Sequence, residues 1–177
     1  MTTSEVFVGT KPIPFPEFTG ERIYMRRIVD GIVPPDLARW APTIEAMLAG
    51  VNVGGPVYLM VDQMRVAKGE THRRPGMHVD GWWDEKAGSH GHRRGAGVQT
   101  LVLAATHEGC RAFVGSYDDA SVGDGGDCSA VDARGMDVVP MAPGRAYHGD
   151  AATLLHESVP CAEDCERTVV RLNVCNR

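Results

Sequence analysis

The sequence predicts a mainly β fold, a sandwich or barrel of short strands with one short helical element near the N-terminus. Two observations carry this. Twenty-one glycines and 11 prolines in 177 residues place turn signals at short intervals. From residue 57 onward, short apolar runs alternate with Gly-rich breaks, the pattern of strands joined by tight turns. Many short strands of this kind close into a double layer or barrel, and the form expected here is a double-stranded β-helix, or jelly roll. The length suits one domain over residues 1–177 with a real core. Aromatic residues are only 6% of the chain, so the packing must lean on aliphatic side chains.

Taken in order, residues 1–20, with Pro12, Pro14 and Pro16, predict an extended arm. Residues 34–50 predict the helical element. Pro34-Pro35-Asp36 provides a start, Leu37, Trp40, Ile44, Met47 and Leu48 recur at helical spacing, and Gly50 is a stop. Pro42 inside this run predicts a kink or two short pieces. Trp40 and Met47 are expected to pack against a sheet. Strands are expected over 57–66, 77–82, 98–105, 111–117, 137–141, 152–156 and 168–174. Gly109, the run Gly123-Asp124-Gly125-Gly126, and Gly149-Asp150 are the expected turns.

The net charge of −5 argues against a general grip on nucleic-acid phosphates. No apolar run approaches membrane-spanning length, and the polar opening Met1-Thr2-Thr3-Ser4-Glu5 is not a signal-peptide core. Five cysteines form an odd set, read as free thiols in a reducing cytoplasm. Cys161 and Cys165 lack a second ligand pair at zinc-finger spacing.

Chemistry concentrates in Met77-His78-Val79-Asp80, Leu155-His156 and the stretch from Arg167 to Arg171. On a strand, His78 and Asp80 share one face, because side chains alternate with period two. A distant His156 folded beside them completes two imidazoles and a carboxylate, a facial triad that leaves three coordination positions open. Arg167, Val169, Arg171 and Asn173 share one face of their strand, while Thr168, Val170, Leu172 and Val174 share the other, mostly apolar face. If the polar face looks into the barrel, both arginines must meet anions there. The guanidinium fork is the side chain best suited to a carboxylate. His148, in His148-Gly149-Asp150, is a weaker candidate ligand, since Gly149-Asp150 reads as a turn.

This order of elements resembles the Fe(II)/2-oxoglutarate-dependent dioxygenases, whose pattern is His-x-Asp, a long gap, a distal His and then an Arg. The resemblance covers about residues 57 to 174. It implies a jelly roll independently. It further implies His78, Asp80 and His156 as iron ligands, 2-oxoglutarate as co-substrate, O2 as oxidant, and hydroxylation of an unactivated C–H bond of a small or amino-acid-like molecule. Arg171 is the implied anchor for the distal carboxylate of 2-oxoglutarate. The family's Arg-x-Ser stands here as Arg171-Leu172-Asn173, which places Asn173 beside the co-substrate. Arg167 is expected to hold a substrate carboxylate or the co-substrate itself. Halogenating relatives have a small residue in place of the carboxylate ligand; Asp80 therefore favours hydroxylation.

The segment from Gly81 to Gly95 mixes aromatic, charged and Gly residues, as suits a lid over substrate. Trp82 shares the parity of His78 and Asp80 and is expected to wall the substrate pocket. His90-Gly91-His92 is a weak adventitious metal site. The rival reading is a non-catalytic or 2-oxoglutarate-independent cupin-like module. Oligomeric state and substrate identity are not specified by the sequence.

Overall fold

The computed structural model describes residues 1–81, 83, 84, 89, 90 and 98–175. The N-terminal arm contributes β1 (Thr2–Ser4) and β2 (Phe7–Val8), followed by β3 (Arg22–Ile28). A 3-10 turn, Pro35–Trp40, leads directly into α1 (Ala41–Leu48). Pro42 lies in the first turn of α1, where a missing N–H costs nothing. The expected helix is therefore two short pieces. Then come β4 (Val57–Val66), β5 (Trp83–Asp84), β6 (Ser89–His90), β7 (Val98–Ala105) and β8 (Cys110–Tyr117). The chain closes with β9 (Asp137–Pro140), β10 (Tyr147–Asp150), β11 (Leu155–Ser158) and β12 (Cys165–Cys175).

Two antiparallel sheets face each other. The larger has the order β2-β10-β7-β12-β4-β3. The smaller is built on β8, which pairs with β1, β11 and β9. His78 extends it beyond β11 through an isolated bridge to His156. The alternation of β4-β12-β7-β10 in one layer with residue 78, β11, β8 and β9 in the other is a jelly roll. β5 and β6 form a separate small hairpin.

Side-chain parity on β12 divides the core. Val170, Leu172 and Val174 join Leu59, Val61 and Val102 under Trp40, Ile44 and Met47 of the helical element. The opposite face, with Tyr58, Met60, Leu101 and Leu103, meets Ala112 and Leu154 between the sheets. A strand covered on both faces needs continuous apolar sequence, which β4 supplies. Trp40 is fully buried, and its indole N–H donates to Glu21 Oε2 at 2.9 Å. Among the described residues no helix is long and apolar enough to cross a membrane.

Three expectations need correction. Residues 77–82 are not a strand over their described part. Val79 N donates to Gly126 O, Asp80 N to Ala151 O and Cys128 N to Met77 O, so only His78 makes a reciprocal pair with His156. Pro75 and a left-handed Gly76 (φ 83°) bring the chain in at an angle that a ladder cannot continue. The strand expected over 152–156 begins at Leu155, because Asp150 caps a turn: its carbonyl accepts from Thr153 N and Leu154 N, and its carboxylate from Ala152 N. Gly149 lies inside β10 rather than in a turn. A Cβ there would stand 2.5 Å from Glu5 O, so close approach of the N-terminal arm explains this glycine.

β3 and β10 escaped the sequence reading. β3 is an arginine-rich edge strand with a register shift between Ile23 and Arg26, where Met25 takes a left-handed φ of 46°. Such a bulge breaks the apolar alternation by which strands are found.

Candidate metal centre

His78, Asp80 and His156 come together although 78 residues separate the histidines in sequence. One potential ligand atom from each lies within 4.8 Å of the others, and the imidazole centroids are 4.4 Å apart. The reciprocal backbone bridge between His78 and His156 sets this distance. Gly81 sets the third position: a Cβ there would stand 2.5 Å from Ala152 Cα, so only glycine lets the chain pass this close and hold Asp80 N on Ala151 O at 3.1 Å.

Both rings are oriented by carbonyl oxygens. His78 Nδ1 lies 2.8 Å from Gly76 O, and His156 Nδ1 lies 3.1 Å from Leu154 O. A carbonyl only accepts, so each Nδ1 carries the proton and each Nε2 presents a lone pair. Burial and the neighbouring His156 push the His78 imidazole down to about 4, which leaves it neutral near pH 7. Burial opposes ionisation of Asp80, but the Arg171 charge overrides it and holds the carboxyl well below its usual range. A neutral imidazole and an ionised carboxylate are the forms that bind a divalent cation. The donor set fits one first-row metal ion.

The two arginines differ in their surroundings. Arg171 Nη1 donates to Asp80 Oδ2 at 2.9 Å, and Nη2 lies 3.6 Å from Met25 Sδ at the β3 bulge. Arg167 is fully buried. Its Nε donates to His107 O at 3.2 Å and its Nη2 to Cys110 Sγ at 3.4 Å; Nη1 has no partner among the described residues. Gly109 makes this placement possible. Its φ is 137°, and a Cβ would lie 3.0 Å from Arg167 Cζ. No carboxylate among the described residues is within ion-pair distance of Arg167.

His78, Asp80, His156 and Arg171 line one cavity of about 730 Å³ that opens to solvent. Arg167 lines a smaller neighbouring space. Leu103, Cys110 and Val169 line both, so the two spaces adjoin. Asn173 is fully buried deeper along β12, outside both linings, and its amide has no partner among the described residues.

Other residues singled out by sequence have plainer positions. His148 is half-buried on β10 and stacks on Phe7 at 5.5 Å, on the face opposite the inward Tyr147. No disulfide joins any of the five cysteines among the described residues. Trp82 and most of the expected lid lie outside the described residues. The sequence reading missed Arg73, Arg74 and Tyr24, which line the metal cavity. The arginine pair four and five residues ahead of His78 was the available signal.

No family profile matches the sequence, and no curated protein sequence matches it. Solved structures that align with the fold include EvdO2 from Micromonospora carbonacea var. aurantiaca complexed with 2-oxoglutarate, at 15% identity over 87% of this chain and 68% of that one, with a TM-score of 0.46. AviO1 from Streptomyces viridochromogenes aligns at 19% identity over 94% of this chain and 73% of that one, with a TM-score of 0.45. A Pseudomonas putida prolyl-4-hydroxylase aligns at 12% identity over 86% and 71%, with a TM-score of 0.40. Within the chain itself, two imidazoles and a carboxylate stand together on a jelly roll, the donor set and fold that the sequence resemblance implies.

Proposed function

We propose that this chain is an Fe(II)/2-oxoglutarate-dependent oxygenase that hydroxylates a C–H bond of a small molecule. The observation that carries the reading is the pairing of the largely buried His78-Asp80-His156 donor set with a buried Arg167 that has no counter-ion among the described residues and lines the adjoining space. His78 Nε2, His156 Nε2 and an Asp80 oxygen would hold the metal. The metal with 2-oxoglutarate and O2 supplies the oxidising power that no amino-acid side chain has.

The chain's own residues position and charge the site. The Gly76 and Leu154 carbonyls fix both rings in the Nδ1–H tautomer. Arg171 keeps Asp80 ionised and fixes its orientation. This contact argues for a different division of labour between the arginines than the sequence suggests. Arg171 is engaged by a ligand carboxylate, whereas Arg167 is a buried charge without a counter-ion among the described residues, and such a charge is costly unless an anion meets it. Arg167 would therefore hold the distal carboxylate of the co-substrate, with Arg171 acting on Asp80. Asn173, away from both cavities, would act on packing rather than on the co-substrate. Leu103 and Val169 give the shared boundary of the two spaces an aliphatic surface.

The test is mass balance. Succinate should form from 2-oxoglutarate only with Fe(II) and O2 present, and His78→Ala should abolish it. Metal binding with no 2-oxoglutarate consumption under any substrate mixture would instead favour a cupin-like module.

A further inference from the structure

We propose that the substrate of this site carries an anionic group, a carboxylate or a phosphate, which Arg73 and Arg74 bind at the cavity mouth. The inference rests on the oxygenase reading for the word substrate; the anion site itself rests on the following geometry.

Arg73 and Arg74 line the same cavity as the three candidate ligands, with Tyr24 beside them. They belong to the segment that delivers His78. Pro75 bridges Ser158 on β11, and Val79 N is held by Gly126 O, so the segment is tied to the metal frame at both ends. Arg74 Nη1 donates to Gly125 O at 3.3 Å, within the same loop. The arginines are thereby fixed relative to the donor atoms rather than free on the surface.

Their charge is not balanced among the described residues. Asp62 accepts Arg73 Nη1 at 2.7 Å and stands 3.1 Å from Arg22 Nε, with His72 Nε2 at 3.6 Å. One carboxylate thus faces two guanidinium groups. Arg74 has only a 4.0 Å approach to Asp127. The Asp127 oxygens are taken by Ser129 N at 3.0 Å and Ser129 Oγ at 3.2 Å. Two guanidinium groups therefore share Asp62, and Arg74 has no closer carboxylate than Asp127 among the described residues, in a chain whose overall charge is −5. The side chains of Arg73 and Arg74 are 39% and 50% exposed, so a solute can reach both. A guanidinium has five N–H donors in a planar fork. Each arginine keeps donors free for a planar carboxylate or a phosphate. An anion held there lies at the rim of the cavity whose floor is the metal site, which leaves the rest of the molecule inside it.

Calorimetric binding tests this with the co-substrate position filled. The protein is loaded with Fe(II) and saturating 2-oxoglutarate under nitrogen, so no turnover occurs. Benzoate, phenyl phosphate and neutral benzamide are titrated at constant ionic strength. At least one anion should bind about tenfold or more tightly than benzamide, and Arg73→Gln and Arg74→Gln should each weaken it about tenfold. The preferred anion tells carboxylate from phosphate. Arg134→Gln, on an exposed pair with Asp132 outside the cavity lining, should change nothing. Equal affinity for benzamide, or anion binding unchanged by both arginine variants, overturns the proposal. Failure of the oxygenase reading looks different: anions still bind through Arg73 and Arg74, but 2-oxoglutarate yields no succinate.

Discussion

Arg171 Nη1 donates to Asp80 Oδ2 at 2.9 Å, so a candidate metal ligand is ion-paired inside the barrel before any metal is considered. Both side chains are largely buried, at 7% and 12% exposure. Removing one partner of such a pair leaves the other as an unpaired buried charge. Arg171→Leu should destabilise the metal-free protein by about 3–5 kcal/mol. A divalent cation can replace the lost charge, so Mn(II) should recover much of that deficit. Denaturation with and without Mn(II) checks this; an equal loss in both conditions would detach Arg171 from Asp80.

Arg167 should behave in the opposite way. It has no counter-ion among the described residues, so an apolar isostere removes a cost. Arg167→Met is expected to leave the stability of the co-substrate-free protein unchanged or raised by about 1 kcal/mol. The same change should weaken 2-oxoglutarate binding about 100-fold, consistent with loss of a buried charge pair. Parallel melting curves and 2-oxoglutarate titrations separate these effects. If Arg171→Leu, and not Arg167→Met, removes 2-oxoglutarate binding while metal still binds, the arginine roles are reversed.

Gly81 is held by backbone contact rather than by an unusual φ. Gly81→Ala would bring a Cβ to 2.5 Å from Ala152 Cα, a backbone atom that cannot rotate away. The segment must then move, and Asp80 with it. Overpacking of this kind costs about 1–3 kcal/mol. Metal affinity should fall together with stability, since the same shift pulls the carboxylate from the imidazoles. Metal titration of a folded Gly81→Ala protein with unchanged affinity would refute the link.

Acid should reach the structure through Asp62. Burial alone would raise its carboxyl, yet His72 and Arg73 lower it to about 2, from an ordinary 3.8. A carboxyl depressed in the folded state contributes stability that is fully present above the unfolded value and is lost as pH falls through the folded one. The contribution is about 2 kcal/mol and should disappear between about pH 4 and pH 2. Asp62→Asn should flatten the stability profile across that window relative to the native chain.

Much of the larger sheet was legible because its strands are covered on both faces. Continuous apolar runs have to be strands of this kind, and the ranges expected for β4 and β7 match the structure. The two-faced character of β12 was readable from period-two alternation alone, and its apolar side does pack under the helical element. Pro42 likewise marked the break between the 3-10 turn and α1. Edge and irregular segments were not legible. β3 is rich in arginine and bulged, and the 77–82 segment divides its hydrogen bonds among several partners, so neither follows a single period.

The sequence by itself determined the inventory of the site: the residue types, the His-x-Asp spacing, and the two arginines on one strand face. Those follow from local chemistry and from side-chain alternation, which need no partner to be read. Only the tertiary structure decided what surrounds each arginine: Arg171 meets Asp80, and Arg167 meets no carboxylate among the described residues. Arg167 and Arg171 have the same parity on β12, and nothing local tells them apart. Asp80 reaches Arg171 because the Gly81 crossing and the His78–His156 bridge carry it there, whereas the space left by Gly109 receives Arg167. These are contacts between segments far apart in sequence, set by packing of the two sheets rather than by any spacing along the chain.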